Sequence, residues 1–240
     1  MTDRPITFSA PMVRALLEGR KTQTRRIIKD TVPQAPRMDA VNPKNAVKHP
    51  APYLDAYCSE RKTTANPRGM SANWCWWTRD DRQCLPGFRV GYVPGDRLWV
   101  RESFKPIHSG DPSRGAKYKA DLTGNDQTIW KPSIHMPRWA SRLTLLVTGV
   151  KVERLQDISR EDAIAEGIVE DDGDVPDIWY CPGGYKFGVK RMASTPGEAF
   201  RHLWEGINGP ESWEANPWVV AVSFEVTKEN IDSLPRARAA

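Results

Sequence analysis

The clearest pattern in the chain is NPWVVAVSFEVT near its end, where Trp218, Val220, Val222, Phe224 and Val226 fall on alternate positions. A period of two is the signature of a strand with a buried face, and such a strand needs partners to satisfy its backbone. Those partners lie far upstream. SRLTLLVTGVKVERL, residues 141–155, is rich in strand formers and carries Gly149 where a bulge is expected. PGDRLWVRES supplies a Pro-Gly-Asp turn followed by a strand through Leu98, Trp99 and Val100. Ile6-Thr7-Phe8 reads as a short strand, the run Thr22, Thr24, Ile27, Ile28 as an extended segment, and Lys117 to Ala120 as one more strand.

Three short helices are expected among these strands. Ser9-Ala10-Pro11 opens the first, Met12, Val13, Leu16 and Leu17 give it an apolar face, and Gly19 stops it. Ser159, with Asp162 three residues on, opens the second, which Gly167 closes. Thr195-Pro-Gly-Glu198 forms a capping box for the third, whose buried face is Phe200, Leu203, Trp204 and Ile207. The sum is an α+β protein, with strands from distant parts of the chain forming one curved sheet or small barrel.

Two regions break the pattern. From Thr31 to about Tyr92 the chain is irregular and dotted with prolines, and it reads as an insertion anchored by Trp74, Trp76 and Trp77. The other is the end of the sequence, residues 233–240, read as a flexible tail. The expected organisation is thus a single domain over 1–232.

The net charge of +5 hides a strong asymmetry. Residues 156–178 hold nine acids against Arg160, leaving 34 basic and 21 acidic residues elsewhere, a surplus of thirteen. That basic remainder suits a phosphate-bearing partner such as RNA, and also an ordinary solvated surface. No run approaches the roughly 20 apolar residues of a membrane span, and no secretory signal is evident, so the expectation is a cytoplasmic protein with no membrane partner. Four cysteines imply reduced thiols rather than a disulfide scaffold. His49, Cys58, Cys75 and Cys84 would make four zinc ligands but contain no close Cys-x-x-Cys pair, so neither metal nor cofactor is expected.

The densest chemistry is LLEGRKTQTRRIIK, where Arg20, Lys21, Arg25 and Arg26 surround Thr22 and Thr24 at a helix-to-strand junction. Neighbouring cations and partial burial would lower the pKa of Lys21 and fit it to act as a base. Thr24 would then be a nucleophile toward an amide or ester carbonyl, provided a bend near Thr22 brings both to one face. The same cluster also reads as a phosphate-binding stripe. A carboxylate from ISREDAIAEGI, residues 158–168, could complete the set. Aromatics beside bases, Trp130 with Lys131 and Arg138-Trp139 with Arg142, suit stacking on single-stranded RNA or a core anchor. His135 and Glu102 are further pocket candidates.

These residues carry a resemblance. ITF, a short helix and GRKTQTRR resemble the Gly-x-Lys-x-x-Thr-x-Arg signature of ASCH domains, and GDRLWV and WVVAVSFEV are similar to that family's turn-strand and closing strand. The longer matches PGDRLWVRE, IHMPRWASR and INGPESWEANPWV resemble members carried by bacteriophages and prophages. The resemblance implies a PUA-like β-barrel, in which residues from about 31 to 92 are an insertion and those from about 168 to 194 a second variable segment, both without counterpart in the minimal domain. It also implies an amidohydrolase that deacetylates 4-acetylcytidine, with catalytic Lys21, Thr24 and Glu166 and the signature arginine at Arg26. Substrate or RNA contacts are then expected at Arg20, Arg25, Arg26, Arg138, Trp139 and Arg142. Two alternatives stay open: an RNA-binding module or ribonuclease, and a phage assembly or interaction factor.

Overall fold

A computed structural model describes residues 2–29, 32–33, 52–79, 81–108, 115–122, 129–173, 176–182 and 191–235. In chain order the elements are β1 (Asp3–Thr7), α1 (Ala10–Leu17), β2 (Gln23–Ile27), β3 (Tyr53–Ala56), β4 (Asn73–Trp77), β5 (Cys84–Arg89), β6 (Arg97–Arg101), β7 (Phe104–Pro106), β8 (Ala116–Tyr118), β9 (Thr144–Arg154), α2 (Arg160–Ala165), β10 (Val169–Glu170), β11 (Trp179–Tyr180), α3 (Pro196–Asn208) and β12 (Trp218–Thr227). The protein is α+β, as its strand and helix patterns indicate.

The long alternating segment is the inner strand it must be. β12 pairs antiparallel with β9 along its whole length and with β2 on its other edge. The main sheet runs β1-β6-β9-β12-β2, with β1 parallel to β6 and the other pairs antiparallel. The register of β9 against β12 shifts where Ser223 faces Gly149 and Phe224 faces Val147, placing a bulge at the expected glycine. Val219, Val220, Ala221 and Val222 are all buried, so both faces of this strand are covered.

A closed barrel is not formed: among the described residues β1 and β2 are the sheet's two edges and do not pair. A side chain spans the gap instead. Arg26 of β2 donates from Nη2 to the Thr7 carbonyl at the end of β1 (2.7 Å), with its guanidinium 5.2 Å from the Phe8 ring centroid. Closure by backbone ladder would exclude any cavity between these edges. Closure by one arginine leaves room.

The helix signals operate as local chemistry requires. Ser159 accepts a hydrogen bond from the Asp162 N–H (3.1 Å), and Thr195 from the Glu198 N–H (3.2 Å). Glu198 in turn accepts from the Ser194 hydroxyl and N–H (2.7 and 3.1 Å) and, more weakly, from the backbone of the cap residue Thr195. Ile207, expected on the buried face of α3, is 60% exposed, while Phe200, Leu203 and Trp204 are buried as expected.

The proline-rich stretch is more regular than its composition suggests. β3, β4 and β5 form a three-stranded antiparallel sheet. Pro52 and Pro67 lie outside its strands, and Pro86 lies on edge strand β5, where a missing N–H is tolerated. Trp74 joins the main core, and Trp76 packs edge-on against Trp218 of β12 while donating to the Pro33 carbonyl (2.8 Å). Burial by tryptophan thus gives the segment order that its propensities do not. Ile168, Trp179, Cys181 and Ala193 likewise tie the second variable segment to the main core. Of the expected tail 233–240, residues 236–240 lie outside the described residues.

One ion-pair cluster fixes the start of the chain. Asp3 accepts from Arg97 Nε and Nη2 (2.9 and 2.8 Å) and from Arg138 Nη2 (2.7 Å). The hydrogen bond from Arg97, aided by Arg138, holds its carboxyl at about 2 against an ordinary 3.8. A carboxylate whose folded pKa is depressed contributes stability above its unfolded value, lost as pH falls toward the folded one. Acid unfolding should therefore steepen between 3.8 and about 2, and Asp3→Asn should flatten that part of a circular-dichroism titration. An unchanged profile would remove Asp3 from the acid response.

Candidate active site

The junction after α1 is shaped by one glycine, two local hydrogen bonds and two tertiary ones. Gly19 takes φ +75°, ending the helix where a side chain would be strained. Both the Arg20 and the Lys21 N–H then return to the Ala15 carbonyl (2.9 and 3.1 Å). The Thr22 N–H donates to Ala165 at the end of α2 (2.9 Å), and the Thr22 carbonyl accepts from Phe224 (2.9 Å). Lys21 and Thr22 thus precede β2, which begins at Gln23. The strand rule that separates residues three apart does not apply across this break. Lys21 and Thr24 both line one cavity of about 470 Å³.

α2 delivers the carboxylate. Glu166 is its C-cap, and Gly167 follows at φ +99°. Lys21 Nζ donates to Glu166 Oε2 (2.5 Å) and to the Glu166 carbonyl (2.9 Å). Lys21, Thr24 and Glu166 are 1%, 4% and 3% exposed, so the pair is desolvated. Burial drives the pKa of Lys21 below the usual lysine range, against the opposing pull of Glu166 and with a smaller push from Arg26. The expected direction therefore holds, but burial outweighs the neighbouring cations as its cause.

Gly167 is a sensitive support for this geometry. A Cβ there would sit 3.4 Å from the Ala15 Cβ and 3.5 Å from the Lys21 Cβ, which is ordinary contact, so the cost of Gly167→Ala lies in its left-handed backbone. We expect a loss of about 1–2 kcal/mol in thermal or urea unfolding. A loss of less than a few tenths would show that this backbone relaxes freely.

Arg25 is committed inward. Its side chain is fully buried and contacts Glu153 (2.6 Å), Asp162 (2.8 Å) and Glu166 (3.4 Å), with a further bond to Gln23 Oε1 (2.6 Å). Gln23 in turn donates to Asp162 and Ser223, and Lys151 pairs with Glu153 (2.5 Å). The acidic segment and the basic junction meet here, and the meeting fixes Glu166 above Lys21.

The remaining candidates lie elsewhere. Arg20 bonds to Glu18 and the Gly167 carbonyl at the edge of the site. Arg138 is held between Asp3 and Asp232, with the half-exposed Trp139 beside it in sequence. Arg142 pairs with buried Glu102 (2.8 Å) and with Asp121, its guanidinium 4.0 Å from the Tyr118 ring centroid. Burial raises the carboxyl of Glu102 against the pull of Arg142. None of Arg20, Arg138, Trp139, Arg142, Glu102 or His135 lines the Lys21 cavity. Among the described residues no three His, Cys, Asp or Glu side chains gather as a metal site. Cys75 and Cys84 lie with their sulfurs 2.8 Å apart, burial pushes the Cys75 thiol up to about 12, and His49 lies outside the described residues.

Several cavity residues carried no functional signal in the sequence. Phe8, Phe200 and Trp204 supply aromatic walls. Trp204 is 5% exposed and its indole N–H has no partner; the Nε of Arg26 is likewise buried without one. The apolar period of α3 accounts for Trp204, but its polar edge was a legible hint, because a buried tryptophan usually finds an acceptor.

No family model, curated protein or solved structure matches this chain. Among the described residues no helix is long and apolar enough to cross a membrane.

Proposed function

We propose that this protein is an ASCH-type amidohydrolase with a PUA-like fold, removing an acyl group from an acylated, cytidine-like base. The observation that carries this reading is the meeting of Lys21, Thr24 and Glu166 in one buried cavity, with Lys21 Nζ 2.5 Å from a carboxylate 145 residues away in sequence. The cavity's volume falls within the range that holds a small ligand, and its aromatic walls suit a flat ring.

The chemistry follows from these groups. Lys21 in its amine form takes the Thr24 hydroxyl proton as Thr24 Oγ bonds to the acyl carbon. Glu166 balances the new ammonium. When the carbon–nitrogen bond breaks, that proton passes to the leaving amino group, and the acyl group remains as an ester on Thr24. Water, deprotonated by the same Lys21–Glu166 pair, then hydrolyses the ester.

The test is incubation of purified protein with 4-acetylcytidine and related acylated nucleosides, with chromatographic detection of the deacylated product. Thr24→Ala should lower turnover by about 10³-fold or more while shifting stability by no more than about 1 kcal/mol. Full activity in the folded variant would remove Thr24 as nucleophile. No turnover of any acylated nucleoside or strand by folded protein would remove the hydrolase reading.

A further inference from the structure

A second cleft, of about 990 Å³, adjoins the catalytic cavity and shares Ser9 and Ser103 with it. A nucleoside fits within the first cavity alone, so the second needs its own explanation. Its walls carry Arg14, Arg20 and Lys119 against a single carboxylate, Glu18, which Arg20 engages. Arg14 uses one N–H on the Ala120 carbonyl (3.2 Å), leaving most of its guanidinium donors uncommitted to that bond, and Lys119 is exposed. Trp130 and Tyr180 add two aromatic rings. Cations for phosphates and rings for bases are the features that bind single-stranded nucleic acid.

We propose that this cleft holds the nucleotides flanking the modified base, so that the substrate is a single-stranded nucleic acid rather than a free nucleoside. Ser9 and Ser103 then mark where the strand passes from one cavity to the other. The inference rests on the hydrolase reading above for its reaction, but not for its binding surface.

The decisive comparison uses 4-acetylcytidine and an oligonucleotide of about six nucleotides carrying the same base internally, made as RNA and as DNA. The full chain should show a kcat/KM at least about tenfold higher on the strand. Trp130→Ala and Lys119→Glu, neither in the catalytic cavity, should each lower that value by about tenfold and leave nucleoside turnover unchanged. A preference between the RNA and DNA arms would show whether the cleft reads the 2′-hydroxyl. In parallel, fluorescence anisotropy with an unmodified labelled strand follows binding without turnover, and affinity should fall steeply with salt. Equal turnover of nucleoside and strand, unaffected by either variant, would overturn the cleft while leaving the hydrolase intact. Strand binding that the two variants abolish, with no deacylation of any substrate, would overturn the hydrolase while leaving the cleft. Absence of both would overturn both.

Discussion

Lys21→Met is expected to abolish turnover and to lower stability by about 3–5 kcal/mol, because it leaves the buried Glu166 carboxylate with only Arg25, at 3.4 Å, as a counter-charge that three acids share. The size of the effect comes from desolvation: Lys21 is 1% exposed and Glu166 3%, so water cannot replace the lost ammonium. The double variant Lys21→Met/Glu166→Leu separates the two roles. Removing both charges should recover much of the stability, since apolar groups of similar volume often substitute for a buried pair, while activity stays absent. Recovery of activity in the double variant would sink the assignment of Lys21.

The same residue makes stability depend on alkaline pH. Because burial depresses the folded pKa of Lys21, both states hold its proton below that value, and between it and the ordinary lysine value only the unfolded state does. Stability contributed by this group therefore rises with pH through that window. Denaturant titrations at increasing alkaline pH should show the rise in the wild type, and its loss in Lys21→Met. A wild-type curve without the rise would mean that Glu166 keeps Lys21 charged throughout.

Arg25→Met should give the other large loss, again about 3–5 kcal/mol, or a fall in Tm of about 10 °C. Its side chain is wholly buried against Glu153, Asp162 and Glu166. Without it those carboxylates face one another with Lys151 and Lys21 as their remaining cations. The deficit should narrow as pH falls, since protonation relieves the uncompensated charge. Arg25→Lys should recover only part of it, because one ammonium cannot span carboxylates that a planar guanidinium reaches through three nitrogens. A neutral effect of Arg25→Met would show that these acids are protonated in the native protein. Activity is expected to fall with stability, as Arg25 touches Glu166 and orders the helix that carries it.

What the sequence determined was local. The alternation of β12 identified an inner strand, Gly149 a bulge, Gly19 and Gly167 two helix ends, and Ser159 and Thr195 two caps. Each depends on a few neighbouring residues, because backbone dihedrals, side-chain period and capping bonds act over one or two turns. The crowding of Lys21, Thr24 and four cations was equally plain, and the net −8 of residues 156–178 indicated where their counter-charge lay.

Only the tertiary structure decided which acid met which base. Nine acids stand in that segment, and Glu166 is selected because α2 ends with it above Lys21, whereas Asp162, one turn earlier, faces Arg25. Arg25 and Arg26 are neighbours in sequence, yet the alternation of β2 sends one into a buried ion cluster and the other across the gap to β1. The order of the prolyl stretch likewise came from burying Trp74 and Trp76 against the main body, and the Lys21 cavity from a sheet whose edges meet through a side chain instead of a ladder. Propensity and spacing fix short elements, but pairing across 145 residues is chosen by packing and desolvation, whose energies exist only once the chain has folded.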